Sequence, residues 1–201
     1  SIVNLGSAIF QGAANTLGEA AIAGWASGGK IVGILMQPLA TIMDASSTFV
    51  GQNWGAGKYQ RIRETLRKVM GMEILWGTIS CVIVYLFGAQ LIHLITGTES
   101  EEIVGLAVMS MRYQTPFFPV LGVLLVLRTA MQAMGQKVAS VISSALELLM
   151  KFIAAAWMIP AYGYLGACVN IPITWSVMTI FLLAVYWIKT RRILFAKAVL
   201  A

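Results

Sequence analysis

The feature that most constrains this chain is an apolar run, residues 31–52, in which Asp44 is the only charged residue. A helix of about 22 residues is long enough to cross a hydrocarbon core of about 30 Å. The run leads into a glycine-rich turn at Gly55 to Gly57, and a cationic segment follows at Lys58–Lys68. Positively charged loops favour the cytoplasmic side, so this stretch predicts a membrane hairpin whose turn lies in the cytoplasm.

The composition agrees with a membrane protein. Of 201 residues, 59% are hydrophobic and 11% are charged, and the mean hydropathy is +0.82. Soluble domains carry about 25% charged residues. The net charge of +6 arises from cations at the ends of apolar runs. We therefore interpret it as membrane topology, with lipid as a partner, and expect no nucleic-acid binding.

Apolar periodicity predicts an all-α fold: one lobe over residues 1–201 with six transmembrane helices. The predicted spans are residues 1–23, 31–53, 69–95, 103–133, 138–160 and 165–188. With these spans, loops rich in cations alternate with loops that are poor in them. The inner loops hold Lys58–Lys68, Lys137 and the C-terminal cluster around Arg191, whereas three acids lie near Glu101 in an outer loop. This pattern predicts a multi-pass protein of the inner (plasma) membrane with a cytoplasmic C-terminus. Ser1 already lies in an apolar stretch, and we expect the chain to be part of a longer transporter.

Two predicted helices carry polar stripes. In the first span, Asn4, Gln11 and Asn15 share one face at about 100° per residue. The second span repeats this pattern with Gln37, Thr41, Asp44, Thr48 and Gln52. An antiparallel hairpin about Ser27 and Gly28 places Gln11 level with Asp44, so we expect the two stripes to line one cavity.

Asp44 is the main candidate for coupling to a cation or proton. A lone carboxylate inside a span is protonated, cation-bound or paired, and Gln11, Thr41 and Thr48 offer oxygen ligands for Na+ or a route for a proton. A structural alternative stays open at this stage: Asp44 caps a kink at Pro38 or pairs with a lysine or arginine.

Further candidates line a predicted substrate cavity: Asn15, Gln37, Glu147 and Lys151. Glu147 and Lys151 lie four residues apart, so their helix faces the bundle interior, where the pair either contacts substrate or fixes packing. The amides of Asn15 and Gln37 also suit helix–helix contacts. Gln52, Gly55 and Gly57 are interpreted as a structural turn motif.

No enzyme signature is present. The single histidine, His93, has no cluster with metal-ligand spacing around it, and Cys81 and Cys168 form no CxxC pair. We expect no catalytic residue, no bound metal and no cofactor.

Five segments carry a resemblance to a known family. They are TFVGQNWGAGKYQRIRE from Thr48, NTLGEAAIAGW from Asn15, LRTAMQAMGQK from Leu127, ELLMK from Glu147 and YGYLGACVNIPITW from Tyr162. In order and spacing the chain resembles helices seven to twelve, the C-terminal half, of a multidrug and toxic compound extrusion (MATE) transporter. The resemblance implies a partner N-terminal six-helix lobe and export of small cationic or amphipathic compounds in exchange for Na+ or H+.

The chain departs from part of that family, because some members carry coupling acids in the seventh and tenth helices. Here the fourth span has no acid and Glu19 lies near the outer end of the first. Two rival functions are a lipid-linked sugar flippase of the same superfamily and a non-transporting scaffold half. A flippase requires many cavity cations for a diphosphate, and only Arg112, Arg128 and Lys151 are available.

Overall fold

The computed structural model describes residues 11–190, with the backbone alone at Lys189 and Thr190. Every regular element in this part of the chain is helical, which confirms the predicted fold class. The main helices are α1 (Glu19–Gly55), α2 (Tyr59–Thr96), α3 (Glu101–Gln114), α4 (Phe118–Ala133), α5 (Lys137–Ile153) and α6 (Ile159–Val185). Two 3-10 turns (Asn15–Leu17 and Thr115–Phe117) and two π-helical turns (Ala154–Met158 and Tyr186–Thr190) complete the order. The predicted stripe residue Asn4 and the cations from Arg191 onward lie outside the described residues.

Three helical stretches within residues 11–190 are long and apolar enough to cross a membrane: Tyr59–Thr96, Glu101–Ala133 and Lys137–Ile188. The second is interrupted by the 3-10 turn at Thr115–Phe117, where Pro116 sits. The third is broken at Gly163, where φ is 55° and ψ is −135°, so α5 and the rest of α6 run as two arms of a hairpin. α1 has 37 residues and carries the polar stripe of the predicted second span.

The predicted turn between the first two spans, about Ser27 and Gly28, is wrong. α1 is continuous from Glu19 to Gly55, and the chain turns earlier, at Gly18, where φ is 94°. Gly24 and Gly28 instead allow α3 to approach: a Cβ at Gly24 would lie 2.7 Å from the Leu106 Cβ, and one at Gly28 would lie 2.5 Å from the Ser110 Oγ. These glycines are therefore packing positions inside a helix.

α1 contains Pro38, which lacks the N–H that would bond to the Ile34 carbonyl one turn earlier. Beside this position the Trp76 indole of α2 donates a hydrogen bond to the Leu35 carbonyl at 2.9 Å. The Leu35 carbonyl thus accepts a bond from the neighbouring helix, one residue beyond the Ile34 carbonyl that Pro38 leaves without its helical donor.

The core lies where α1, α2, α3, α4 and α6 meet. Its wholly buried members include Leu39, Phe118, Leu127 and Leu182. Phe118 also contacts the Trp175 ring edge-to-face with centroids 6.1 Å apart. This packing leaves one face of α1 outside the core and fixes α4 against α6.

The turn after α1 forms as its sequence suggests. α1 ends at Gly55, the Ala56 N–H donates to the Gln52 carbonyl at 3.0 Å, and Gly57 adopts a φ of 70°. Of the two glycines in this turn, Gly57 adopts the positive φ at which a side chain is disfavoured, whereas Gly55 is helical. Gln52 contributes its backbone carbonyl to the turn, while its side chain is exposed.

Candidate functional site

A cluster of three charged side chains joins α4 to α5. Lys151 Nζ lies 2.8 Å from Glu147 Oε1, and Arg128 Nη1 lies 3.6 Å from Glu147 Oε2. The three side chains are between 17% and 20% exposed, so the pairs are shielded from most of the solvent. One carboxylate thus pairs with two cations, and the cluster has a net charge of +1.

A row of polar contacts continues from this cluster toward the α4–α5 turn. Arg128 donates a hydrogen bond to the Ser144 hydroxyl, and Gln132 donates one to the Ser140 hydroxyl. These partners are spaced evenly about Gln136, four and eight residues to either side. That symmetry about the α4–α5 turn is the signal in the sequence that Arg128 faces α5.

The charged cluster opens into a cavity of about 480 Å³ between α4, α5 and α6. The polar part of its lining comprises Arg128, Glu147, Lys151, Asn170 and Thr174, and the rest is apolar or aromatic, including Trp175. Asn170 is 1% exposed, and its Oδ1 accepts no hydrogen bond from the described residues. A volume of this size with few polar groups is typical of sites for small organic molecules.

The polar face of α1 is a separate feature. Gln37, Thr41, Asp44, Thr48 and Gln52 are all exposed in this lobe, as the 3.6-residue periodicity predicts. The Thr41 hydroxyl donates to the Gln37 carbonyl at 3.0 Å, and the Thr48 hydroxyl donates to the Asp44 carbonyl at 3.2 Å. Both hydroxyl oxygens keep acceptor lone pairs beside the Asp44 carboxylate. No ion pair within residues 11–190 involves Asp44.

Gln11 does not join this face, so the predicted level pairing with Asp44 is wrong. Its amide donates to the Asn15 Oδ1 at 3.0 Å, and it lines a small void together with Trp25 and Tyr164. Trp25 and Asp44 are 19 residues apart on one continuous helix, which corresponds to roughly 28 Å. The cause is the continuous α1: Gln11, where the described residues begin, lies beside the beginning of α1, far from Asp44. Asn15 is not among the residues that line the cavity beside Glu147 and Lys151.

The remaining candidates carry no metal-site geometry. Within the described part of the chain, no group of three or more His, Cys, Asp and Glu side chains could hold a metal ion. His93 is exposed, with its Nδ1 2.8 Å from the Thr98 carbonyl oxygen. Any bound Na+ would therefore depend on oxygen ligands such as those around Asp44.

The family comparison and the structural comparison both point to MATE proteins. The MatE family model matches residues 1–157. No curated protein matches the chain. Several solved structures do, and they include the Vibrio cholerae MATE transporter VcmN in the bent form, with 16% identity and a TM-score of 0.74, covering 98% of this chain and 44% of that one.

Two further structures show the same extent of similarity. A MATE in complex with MaL6 has 19% identity and a TM-score of 0.82, with 98% of this chain and 44% of that chain covered. An inward-facing multidrug resistance MATE family transporter of the MOP superfamily has 17% identity and a TM-score of 0.76, with 98% and 46% covered. At these identities the likeness shows a shared fold, and the present chain spans less than half the length of those proteins.

Proposed function

The chain belongs to the MatE family of transporters, and from this premise we propose that it is the C-terminal lobe of a secondary antiporter. The antiporter would export small cationic or amphipathic compounds in exchange for Na+ or H+. The match of the family model over residues 1–157 is the single observation that carries the transporter class. Coverage of 44% to 46% of the similar solved chains supports a second lobe in the same protein.

The exposed polar face of α1 supports the coupling part of the proposal. In a two-lobed transporter this face would border the cavity shared with the N-terminal lobe. The Asp44 carboxylate, with the hydroxyl oxygens of Thr41 and Thr48 one turn to either side, offers hard oxygen ligands for Na+ or a site for a proton. Cation binding there would compete with a cationic substrate and shift the balance between inward-facing and outward-facing states.

The cavity beside Arg128, Glu147 and Lys151 supports an amphipathic substrate. Its apolar walls and the Trp175 ring suit the hydrophobic part of such a molecule, and Asn170 offers an unpaired carbonyl oxygen. Because Glu147 is already paired with two cations, a cationic group entering here must displace one of them.

The same cluster weighs against the flippase alternative. Two of the three cations counted for that function, Arg128 and Lys151, are partly neutralised by Glu147. A net charge of +1 is a poor match for a diphosphate group. The scaffold alternative offers no role for the row of exposed polar side chains around Asp44.

The three apolar helical stretches support a multi-pass membrane protein, and the cations of Lys58–Lys68 support a cytoplasmic turn and C-terminus. We assign the protein to the plasma membrane on this basis. No catalytic activity or cofactor is part of the proposal.

The test is efflux from a bacterium that lacks its major exporters and expresses the complete protein. Asp44→Asn should abolish the dependence of dye export on a Na+ or proton gradient. Glu64→Gln is the matched control, because Glu64 is an exposed acid on the cationic segment and bonds Gln60 at 2.9 Å. Unchanged, gradient-driven export by the Asp44→Asn variant would remove Asp44 from the mechanism.

A further inference from the structure

Glu73 is a carboxyl group sealed inside the helix bundle. It lies on α2, five residues beyond Lys68, which places it roughly 8 Å along the helix from the cationic segment. The residue is 0% exposed, and neither carboxyl oxygen has a hydrogen-bond partner within the described residues. The transport proposal above makes no use of it.

Glycines on α2 and α4 create the space that Glu73 occupies. A Cβ at Gly122 would lie 2.6 Å from the Glu73 Cβ and 3.0 Å from its Oε2. One turn along α2, a Cβ at Gly77 would lie 2.6 Å from the Pro119 nitrogen. The two helices therefore run antiparallel in close contact, and Glu73 lies at the centre of their interface, which we call the α2–α4 seam.

Other buried polar groups continue along the seam. The register that pairs Glu73 with Gly122 and Gly77 with Pro119 also brings Ser80 level with Thr115. Both are wholly buried, and both hydroxyl oxygens lack a hydrogen-bond partner within residues 11–190. Ser80 lies on the same face of α2 as Glu73, about 10 Å farther from the cationic segment. The seam thus carries polar groups at two levels between otherwise apolar helices.

Within residues 11–190, no cation pairs with Glu73. On its own helix, Arg67 and Lys68 are exposed, and α4 contributes only Arg128, which contacts Glu147 and Ser144. On α3, which also packs against α2, the cation is Arg112, and it donates to the Tyr85 carbonyl. The charged residues of α1, namely Glu19, Lys30 and Asp44, are all exposed. An ionised carboxylate buried without a partner costs at least several kcal/mol, whereas a neutral carboxyl group costs far less.

We propose that Glu73 is a proton-binding site of this lobe, closed in the present conformation and opened when the α2–α4 seam separates. In the closed seam the carboxyl group carries a proton on one oxygen. When water enters the seam, the O–H bond breaks, the proton passes to water and the carboxylate remains. Separation thus couples release of one proton to a helix movement. The coupling of proton release to transport rests on the proposed function. The proton site itself rests on the burial of Glu73 and on the lack of a hydrogen-bond partner among the described residues.

Both partners of α2 contain backbone irregularities that suit such a movement. α4 follows the 3-10 turn that contains Pro116, and it begins with Phe118 and Pro119 beside Gly77. α1 contains Pro38, and Trp76, three residues beyond Glu73, donates to the Leu35 carbonyl near it. Helices bend most readily at such proline positions.

The direct test is infrared difference spectroscopy on the complete purified protein between acidic and alkaline pH. The wild type should show the carbonyl stretch of a neutral carboxylic acid, and Glu73→Gln should lose that band. Glu64→Gln, at an exposed acid on the same helix, should keep it. A band that is unchanged in Glu73→Gln would overturn the proposal.

A second measurement needs no variant and covers the case in which Glu73→Gln does not fold. A hydrophobic carbodiimide reacts with protonated, membrane-buried carboxyl groups, and mass spectrometry locates the product. Wild-type protein should be labelled at Glu73 in preference to Glu64, and labelling should fall as pH rises. Equal labelling of both acids would overturn the proton site. Neither readout depends on transport, so a wild type that exports nothing would refute the proposed function and leave the proton site standing.

Discussion

Glu73 on α2 and Gly122 on α4 are in such close contact that a Cβ added to the glycine would lie 2.6 Å from the Glu73 Cβ. This pair determines how closely the two helices approach and leaves the carboxyl group without access to solvent. Tight packing and a buried acid are thus properties of the same interface.

Gly122→Ala should destabilise the protein by about 1–3 kcal/mol, because the added methyl group has no space beside Glu73. Thermal unfolding of the complete protein in detergent measures this change. Gly105→Ala on α3 is the matched control: nothing lies within 4 Å of a Cβ at that position. Equal melting temperatures for the two variants would contradict the packing described here.

Glu147→Gln should cost more stability than Lys151→Met. Loss of the carboxylate leaves Arg128 and Lys151 facing each other, whereas loss of Lys151 preserves the contact between Arg128 and Glu147. The side chains are partly exposed, so we expect on the order of 1–2 kcal/mol for Glu147→Gln, below the cost of breaking a fully buried pair. Unfolding midpoints provide the comparison, and the reverse order would show that the cluster is not centred on Glu147.

Trp76→Phe should destabilise the protein by about 1 kcal/mol, because the Leu35 carbonyl of α1 loses its indole donor. Trp157→Phe is the control, since Trp157 is 61% exposed and should cost little. Thermal unfolding again reports both values. A smaller cost at position 76 than at position 157 would exclude a structural role for this hydrogen bond.

The turn at Ala56 and the loop at Thr98 should lie on opposite sides of the membrane, and cysteine labelling tests this. In a background with Cys81→Ala and Cys168→Ala, a membrane-impermeant maleimide added to intact cells should label Thr98→Cys and leave Ala56→Cys unlabelled. After lysis, both should react. Labelling of Ala56→Cys in intact cells would invert the topology derived from the cations of Lys58–Lys68.

The sequence predicted those features that depend on local periodicity. The polar face around Asp44 follows from spacing along one helix, and that face is exposed as expected. The predicted helix break was misplaced, because Gly28 and Gly18 look alike in sequence. Gly28 allows α3 to pack closely against α1, whereas Gly18 adopts a positive φ immediately before α1 begins. Only the packing of a distant helix distinguishes these two uses of glycine.

Contacts between helices were the least predictable part of the site. Glu147 and Lys151 were paired correctly because they lie one turn apart on α5, but the contribution of Arg128 arises from the fold of α4 against α5. Glu73 lies only five residues beyond Lys68, which in sequence suggests a position near the cytoplasmic interface. Its complete burial depends on Gly122, which lies 49 residues away along the chain and had no visible link to it in sequence.

The most direct test of the transport account is substrate flux in liposomes that contain the complete protein. Vesicles loaded with a fluorescent cationic dye are placed in a Na+ gradient at constant pH, in a pH gradient without Na+, or in neither. We predict dye release driven by one of the two gradients, no driven release without a gradient, and loss of gradient dependence in Asp44→Asn. Absence of dye movement under both gradients, with correctly folded wild-type protein, would contradict the assignment as a cation-coupled exporter.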